Sequence, residues 1–477
     1  MNQSNKKLIA ILFCSAVILA SCKTPALAPM PVPKTVPATY ATSTDTTNSG
    51  IIPWQQFFTD KYLTVLIDTA LKNNQELAIT LQEIEIARND IRLRKGQLLP
   101  TIEAGGGIGV EKVGLYTSQG AGDASTQIKP GKEVPEWLPD YRIGATAGWE
   151  VDIWNKLHNA TKASVDRYLA TAEGRKFVVT NLIAEIANSY YELLALDNQL
   201  EIVQQTIRLQ QNALAVVRIQ KQAAAANELA VKKFEAEVLN SQSLVFDLQQ
   251  KIKEKENAIN FLAGRYPQPI VRDTSGILNK DLTKITSGIP SQLLNNRPDI
   301  QQAELELSAA KLDVQVAKAE FYPSFKISAG LGLQAFNPTY IARLPESILF
   351  SLAGDVAGPL INKNAIKAEY YSANARQLQA VYNYERTILN AYIEVSTELS
   401  NLQNLEEKYN FKSKQVETLV KSVDISNDLF KAARADYLEV LLTQRDALES
   451  KLELIETKLH QFNSVTNIYR SLGGGWK

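Results

Sequence analysis

Residues 71–100 read LKNNQELAITLQEIEIARNDIRLRKGQLLP, and residues 294–323 read LNNRPDIQQAELELSAAKLDVQVAKAEFYP. The two stretches are equally long. Asn73 falls on Asn296, Ala87 on Ala310, Lys95 on Lys318 and Pro100 on Pro323. Each proline leads into an alternating segment, TIEAGGGIGV at 101–110 and SFKISAGLGL at 324–333. The chain therefore repeats a unit in which a helix runs into a strand. Such a unit is not a finished structure, so the fold is decided by how the strands close.

Four segments alternate with period two, the mark of a strand with unlike faces. In 101–111, Ile102, Ala104, Ile108 and Val110 share one face, with Glu103, Glu111 and glycines on the other. In 141–152, Tyr141, Ile143, Ala145, Ala147, Trp149 and Val151 alternate with Arg142, Thr146, Glu150 and Asp152. In 324–335, Phe325, Ile327, Ala329, Leu331 and Leu333 alternate with Ser324, Lys326, Ser328 and Gln334. In 347–360, Ile348, Phe350, Leu352 and Val356 alternate with Ser351 and Asp355. Each segment is about as long as a tilted membrane-spanning strand, with one face for lipid and one for water. A soluble sandwich with one wet face alternates in the same way. Tyr141 and Trp149 near strand ends suit an interfacial aromatic girdle.

The strands form two hairpins. The first has a long loop rich in Gly and Ser at 112–140, and the second a shorter one at 336–346 with the turn signal Asn337-Pro338. Four antiparallel strands cannot close a barrel, and lipid does not tolerate open edges. Single-chain barrels begin at about eight strands. The strands are expected to be pooled between copies related by cyclic symmetry.

Most of the remainder reads as helix. Residues 155–222 contain no proline and only Gly174, enough for roughly 100 Å if continuous. Residues 227–263 carry a heptad of Phe234, Val238, Val245, Leu248, Ile252, Ile259 and Leu262, interrupted by Ser241 and Lys255. The second half repeats the scheme at 363–431 and 437–472, where Leu441, Leu448, Leu452, Ile455, Leu459 and Phe462 form a stripe. The turns AAAAN at 223–227 and AARAD at 432–436 correspond, as do Leu229 with Leu438, Val231 with Val440 and Gly264 with Gly473. Each half is then short helix, hairpin, long helix, turn, helix. Helices alone would equally suit a structural coiled coil.

The ends bound the setting. Lys6 and Lys7 precede a short apolar run at 8–19, the pattern of an export signal over 1–21. The following Leu19-Ala20-Ser21-Cys22 resembles a bacterial lipobox, which makes Cys22 the lipidated residue. Cys14 leaves with the signal, so Cys22 is the only mature cysteine and no internal disulfide is available. Lys23 stands where an aspartate often retains lipoproteins at the inner membrane, which agrees with outer-membrane sorting. Residues 22–50 are rich in Pro, Thr, Ala and Ser and read as an extended tether. The body is divided into a first repeat at 51–263, a connector at 264–290 and a second repeat at 291–477. Lys plus Arg and Asp plus Glu are both 51, so no basic field for nucleic acid exists. No run past Cys22 is long and apolar enough for a membrane helix. His158 and His460 are the only histidines, and no metal-spaced cluster, Walker loop or G-x-S-x-G elbow is present, so neither an enzyme nor a cofactor is expected.

At this point the chain resembles the TolC-type outer-membrane efflux factors, in the lipoprotein (NodT-like) branch used with RND pumps. LNNRPDI at 294–300, followed by Ala303-Glu304, is similar to the family's "RPD" helix start. Phe321-Tyr322-Pro323 resembles its helix-to-strand junction, and WEVDIW at 149–154 its "WE-D-L" strand end. DYLEVL at 436–441 with Gln444-Arg445 resembles the helix-tip motif, and LGGGW at 472–476 the common C-terminus. The resemblance implies a mainly α fold with a small β part. Long antiparallel helices would form a trimeric α-barrel in the periplasm, and four strands per chain would complete a trimeric 12-stranded β-barrel in outer-membrane lipid. It also implies an equatorial collar built from about 51–73 and 265–290. The implied function is a passive exit channel for small molecules, a homotrimer docked to a periplasmic adaptor protein and an inner-membrane RND-type pump.

The resemblance also nominates residues. Acidic side chains near the tip motif narrow the periplasmic entrance in the family. Glu439 lies in that motif, whereas Leu442 stands where an aspartate is common, so an apolar ring is an alternative gate to an acidic one. Packing of Leu442 inside the coiled coil is the competing expectation. Asn227, Arg434 and Asp436 are candidate tip-turn or adaptor contacts, with solvated turn charges the plain alternative. Arg297 and Asp299 are read as helix-start residues, with Pro298 at N1 and Asp299 favourable to the dipole, and substrate contact is the alternative. Two other functions stay open: a lipid-anchored periplasmic scaffold or adaptor, and the exit duct of a type I protein secretion system.

Overall fold

The computed structural model describes residues 24–31, 35–40, 47–273, 275–359, 361, 363–432 and 434–477. The export signal and Cys22 lie outside them, as do Leu360 and Ala433. The main elements, in chain order, are helices α1 (Lys61–Asn73) and α2 (Gln75–Gly96), strands β1 (Thr101–Glu111) and β2 (Leu138–Val151), and helices α3 (Lys156–Gln222) and α4 (Glu228–Leu262). The second half gives helix α5 (Pro298–Ala319), strands β3 (Ser324–Ala335) and β4 (Ile348–Ala357), and helices α6 (Asn364–Lys431) and α7 (Tyr437–Ser471). The duplication is visible in the lengths. Helices α2 and α5 both have 22 residues, and α4 and α7 both have 35.

The loop of the first hairpin is not plain coil. It contains a helical turn (Ser118–Asp123) and a small hairpin, Gln127–Lys129 against Lys132–Glu133, turned by Gly131 at φ 79°. Strand β2 consequently begins at Leu138, before the alternation that starts at Tyr141.

Two compact units divide the chain. The first comprises Met1–Pro31, Ile86–Tyr168 and Glu306–Ala380, and holds the sheet. Its strands are antiparallel throughout in the order β1-β2-β3-β4, and among the described residues one edge each of β1 and β4 is unpaired. In the same unit Val314, Ala317, Phe321, Tyr370 and Ala373 pack together, with Leu27 against them.

The second unit comprises Val32–Glu85, Leu169–Leu305 and Val381–Lys477. Its core gathers Trp54, Phe57, Leu63 and Ile67 with Ile183, Tyr190, Leu194, Ile259, Phe462 and Tyr469. Phe57 stacks on Tyr469 at 3.9 Å. Tyr40 is buried and stacks on Tyr392 at 5.5 Å, and Ser49 N–H donates to the Thr286 carbonyl at 2.9 Å.

The repeats are closed by the same device. Gly264 and Gly473 follow α4 and α7 with φ of 66° and 84°, a conformation that suits glycine at a helix end. A Cβ on Gly264 would collide with the Asn73 carbonyl, and one on Gly473 with the Asn296 carbonyl. Each glycine therefore lets its helix end press on its own repeat's opening segment.

Candidate functional site: an open sheet and two helix tips

The register sorts the sheet's side chains. Opposed residues of an antiparallel pair share a face. Ile102 opposes Ala147, Ile108 opposes Tyr141, Trp149 opposes Ile327, and Leu331 lies between Ala145 and Phe350. On this face Ile102, Ile108, Leu331, Phe350 and Leu352 are 64–83% exposed. On the other face Lys326 stands between Glu150 and Asp355, Arg142 opposes Gln334, and Thr146 and Ser351 flank Gly330. One side is thus apolar and open, and the other polar with opposite charges neighbouring one another. Gly144 and Gly332 oppose each other there, and a Cβ on either would meet the facing backbone, so the strands come close at that rung.

The strand-to-helix junction explains WEVDIW. Trp149 Nε1–H donates to the Leu98 carbonyl at 3.0 Å, and Trp154 Nε1–H to the Pro323 carbonyl at 2.7 Å. Trp154 also stacks on Tyr322 at 4.7 Å. The Asp152 carboxylate accepts from the backbone N–H of Leu157 and His158 at 3.1 and 2.8 Å, at the start of α3. Burial works against its charge, but the N–H donors, with the His158 ring, outweigh it and hold the carboxyl below its ordinary value. These motif residues build a corner.

The helix tips are two copies of one turn. Ala225 N–H donates to the Gln220 carbonyl and Arg434 N–H to the Leu429 carbonyl, both at 2.8 Å. Ala224 adopts φ 54° where glycine would be easier. A single apolar cluster seats both turns, with Leu214, Val217, Phe234, Val238, Phe430, Val440 and Leu441 buried and Ala226 and Ala435 against it. The turns differ in their caps. The Asn227 side chain accepts from Ala230 N–H at 2.9 Å, the usual N-cap bond. Asp436, its counterpart, caps α7 through its backbone alone, since Glu439 N–H donates to its carbonyl and its side chain makes no cap bond. Around the first tip Arg218 pairs with Glu235, and Lys221 with Glu228.

Glu439 and Leu442 are exposed and three residues apart, hence on one face of α7. They turn away from the cluster that buries Val440 and Leu441. Leu438, 41% exposed and four residues before Leu442, extends the same face. Sequence reasoning missed it although its spacing was available. Arg434 and Asp436 are exposed at the same tip, so four of the nominated residues are gathered there, with Asn227 on the neighbouring turn.

Two ionic clamps hold the connector, and neither was foreseen. Arg272 pairs with Asp197 and with Glu256, the latter at 2.7 Å. Lys280 pairs with Asp60 and Asp273, each at 2.8 Å. The Tyr190 hydroxyl donates to Asp60 at 3.0 Å, and burial together with that carboxylate pushes the phenol up, so it keeps its proton.

Arg297 is the hub of the second repeat. It is buried, makes two bonds to Asp299 at 3.0 and 2.6 Å, and reaches Glu394 at 2.8 Å and the Ser471 carbonyl at 2.9 Å. Burial opposes its charge, but the Asp299 and Glu394 pairs more than offset that and raise its pKa. Its counterpart Asn74 does the same work with an amide, donating to the Leu262 carbonyl at 2.9 Å while its oxygen caps Leu77 N–H at 3.1 Å. Both residues tie the start of a short helix to the end of the last helix in their half. Arg297 and Asp299 are structural, as the helix-start reading holds.

Known proteins resemble this chain. The cation efflux system protein CusC of Escherichia coli O6:H1 is 27% identical over 475 residues, covering 98% of each chain. The pyoverdine export outer membrane protein OpmQ of Pseudomonas aeruginosa is 26% identical over 429 residues, 90% of this chain and 88% of that one. The solved open state of the Neisseria gonorrhoeae MtrE outer membrane channel has the same fold, with a TM-score of 0.82 at 21% identity over 95% of this chain and 99% of that one. The outer membrane efflux protein model matches residues 66–265 and 289–474. With both repeats covered, the chain belongs to the outer membrane efflux protein family.

Proposed function

We propose that this protein is the exit channel of a tripartite efflux pump, a passive homotrimeric duct for small molecules across the outer membrane. The observation that carries this reading is the four-stranded sheet whose two edges are unpaired among the described residues and whose apolar face is exposed. Lipid forbids bare strand edges. Three copies pooling their strands would supply twelve, above the minimum of about eight for known barrels. A lipid-anchored scaffold has no use for Phe350 or Ile108 in the open, which disfavours that alternative.

In the same reading Cys22 is acylated and anchors the chain. An adaptor protein and an RND-type inner-membrane pump complete the path and supply the energy. The exposed face of Glu439, Leu442 and Leu438 forms the periplasmic constriction, and the side chains of Arg434 and Asp436, with the Asn227 turn, meet the adaptor. A ring of leucines around one axis resists wetting, whereas three equal carboxylates repel and hold cations.

The test is fractionation with native electrophoresis. The protein should sediment with outer membranes and run as a heat-modifiable trimer, and crosslinking should capture an adaptor at the tips. A soluble, functional monomer after removal of the anchor would leave the proposal without support.

A further inference from the structure

Strands β2 and β3 are paired neighbours, with Val151 opposite Phe325, and at this end of the sheet each joins a helix. Between the start of α3 and the end of α5 lies a cleft of about 400 Å³, lined by Trp154, Asn155, Asn159, Lys162, Lys318 and Tyr322. Gln315 and Ala319 complete its walls, so it holds two lysines and no carboxylate. Lys162 and Lys318 are both exposed, and neither makes an ion pair or side-chain hydrogen bond among the described residues. A concave site with two free cations and no acid selects an anion.

A third lysine shows which side of the junction the cleft occupies. Lys156 is held by Glu150 at 2.7 Å and by Glu320 at 3.6 Å, and Glu150 opposes Lys326 on the polar face of the sheet. Lys156 and Glu320 therefore mark the polar side. Helical spacing puts Lys318 roughly 200° round the axis of α5 from Glu320, which follows its last residue, and Lys162 roughly 120° round α3 from Lys156. The two free lysines are turned away from the polar face, toward the side that carries Trp149, Ile327 and Phe325. Trp154 is 43% exposed and stacks on Tyr322. Its Nε1–H bond to the Pro323 carbonyl fixes the ring in advance, so little order is lost when something binds against it. Trp and Tyr rings gather where a membrane's apolar interior meets its headgroups. Lysines reach from such a level to the charged layer.

We propose that this cleft binds the headgroup of a membrane glycerophospholipid, with the phosphate held between Lys162 and Lys318. The ammonium groups meet the phosphate oxygens as point charges. The amides of Asn155 and Asn159 offer neutral hydrogen bonds to the glycerol and ester oxygens. The stacked Trp154 and Tyr322 rings receive the first part of the acyl chains, which continue along the apolar face of β2 and β3. A free anion could use the lysines but has no use for the aromatic wall or the apolar face beside it. The site rests on the reading of the chain as a duct, which is what brings this face into lipid.

The experiment titrates detergent-solubilised full-length protein with dioctanoyl phosphatidylglycerol, dioctanoylglycerol and inorganic phosphate, reading bound ligand by native mass spectrometry. The proteins are wild type, Lys162→Gln, Lys318→Gln, the double variant, and Lys414→Gln, which removes an exposed lysine of α6. Wild type should bind the phosphatidylglycerol more tightly than either of the other two ligands. Each cleft variant should lose about fivefold in affinity for it and the double variant about thirtyfold, while Lys414→Gln matches wild type. If the double variant fails to assemble, the single variants carry the same expectation. Dioctanoylglycerol bound as tightly, or a double variant that binds like wild type, overturns the phosphate site. Inorganic phosphate bound as tightly as the lipid overturns the lipid in favour of a free anion. A membrane-inserted trimer that gives any of these results loses the cleft alone. A soluble, functional monomer overturns the duct reading, and the lipid site falls with it.

Discussion

Arg297 shows how much one side chain can hold. From a buried position it pairs with Asp299 and with the partly exposed Glu394, and it reaches the Ser471 carbonyl at the end of α7. Removing one member of a buried ionic set leaves the others unpaired, so Arg297→Ala should lower unfolding free energy by about 3–5 kcal/mol. Asn74→Ala loses only neutral hydrogen bonds and should cost about 1–3 kcal/mol. Denaturant unfolding of the two variants checks the order, and equal small losses would deny Arg297 its place as hub. Asp273 gives a pH handle. The Lys280 ammonium, then the Ser275 N–H and hydroxyl, hold its carboxyl down at about 2. A lowered carboxylate adds stability that is complete above the ordinary value of about 4 and is lost as pH falls through the folded value. Hydrogen exchange in residues 265–290 should therefore accelerate between about pH 4 and pH 2, and Asp273→Asn should abolish that pH dependence.

The elements differ in how plainly they were written. The strands at 101–111 and 324–335 were legible to the residue, because their alternation starts directly after Pro100 and Pro323 and nothing competes with it. The long helices were equally plain, being free of proline, and α4 and α7 are each followed by a glycine. The hairpin inside the first loop was not legible. It relies on Gly131 and on Lys129, whose ammonium donates to the Tyr340 hydroxyl at 3.3 Å from a strand-distant part of the sequence. The connector clamps were hidden for the same reason, since Arg272 and Asp197 leave no local pattern when they pair. The tip residues were found from a motif, while the missing side-chain cap at Asp436 became visible only in the structure. The sheet carries its own test. Leu331 lies mid-strand on the apolar face, so Leu331→Arg should cost roughly 2–4 kcal/mol near a bilayer midplane and hinder membrane assembly. The heat-modifiable oligomer on a gel reports it, and normal assembly would mean that this face meets water.

At the scale of the whole molecule, the proposed constriction lies at the tip. Val440 and Leu441 are committed to the core, and Leu442 is not. If it narrows the entrance, Leu442→Gly should raise bilayer conductance severalfold without altering oligomer yield, and unchanged conductance would move the constriction elsewhere. Neutral formal charge over the chain fits a duct whose selectivity is left to its partners, and the neighbouring Glu150, Lys326 and Asp355 wet the polar face without a dominant sign.

The bare margins of the sheet impose a schedule on the newborn polypeptide. An uncovered strand edge is a template for any other extended chain it meets. In the trimer proposed above, each new copy would be a hazard until siblings cover it, and the interval before that meeting would grow as the protein becomes scarcer. Under that proposal scarcity would threaten correct joining, and escorts that shield strand edges would matter most when synthesis is slow.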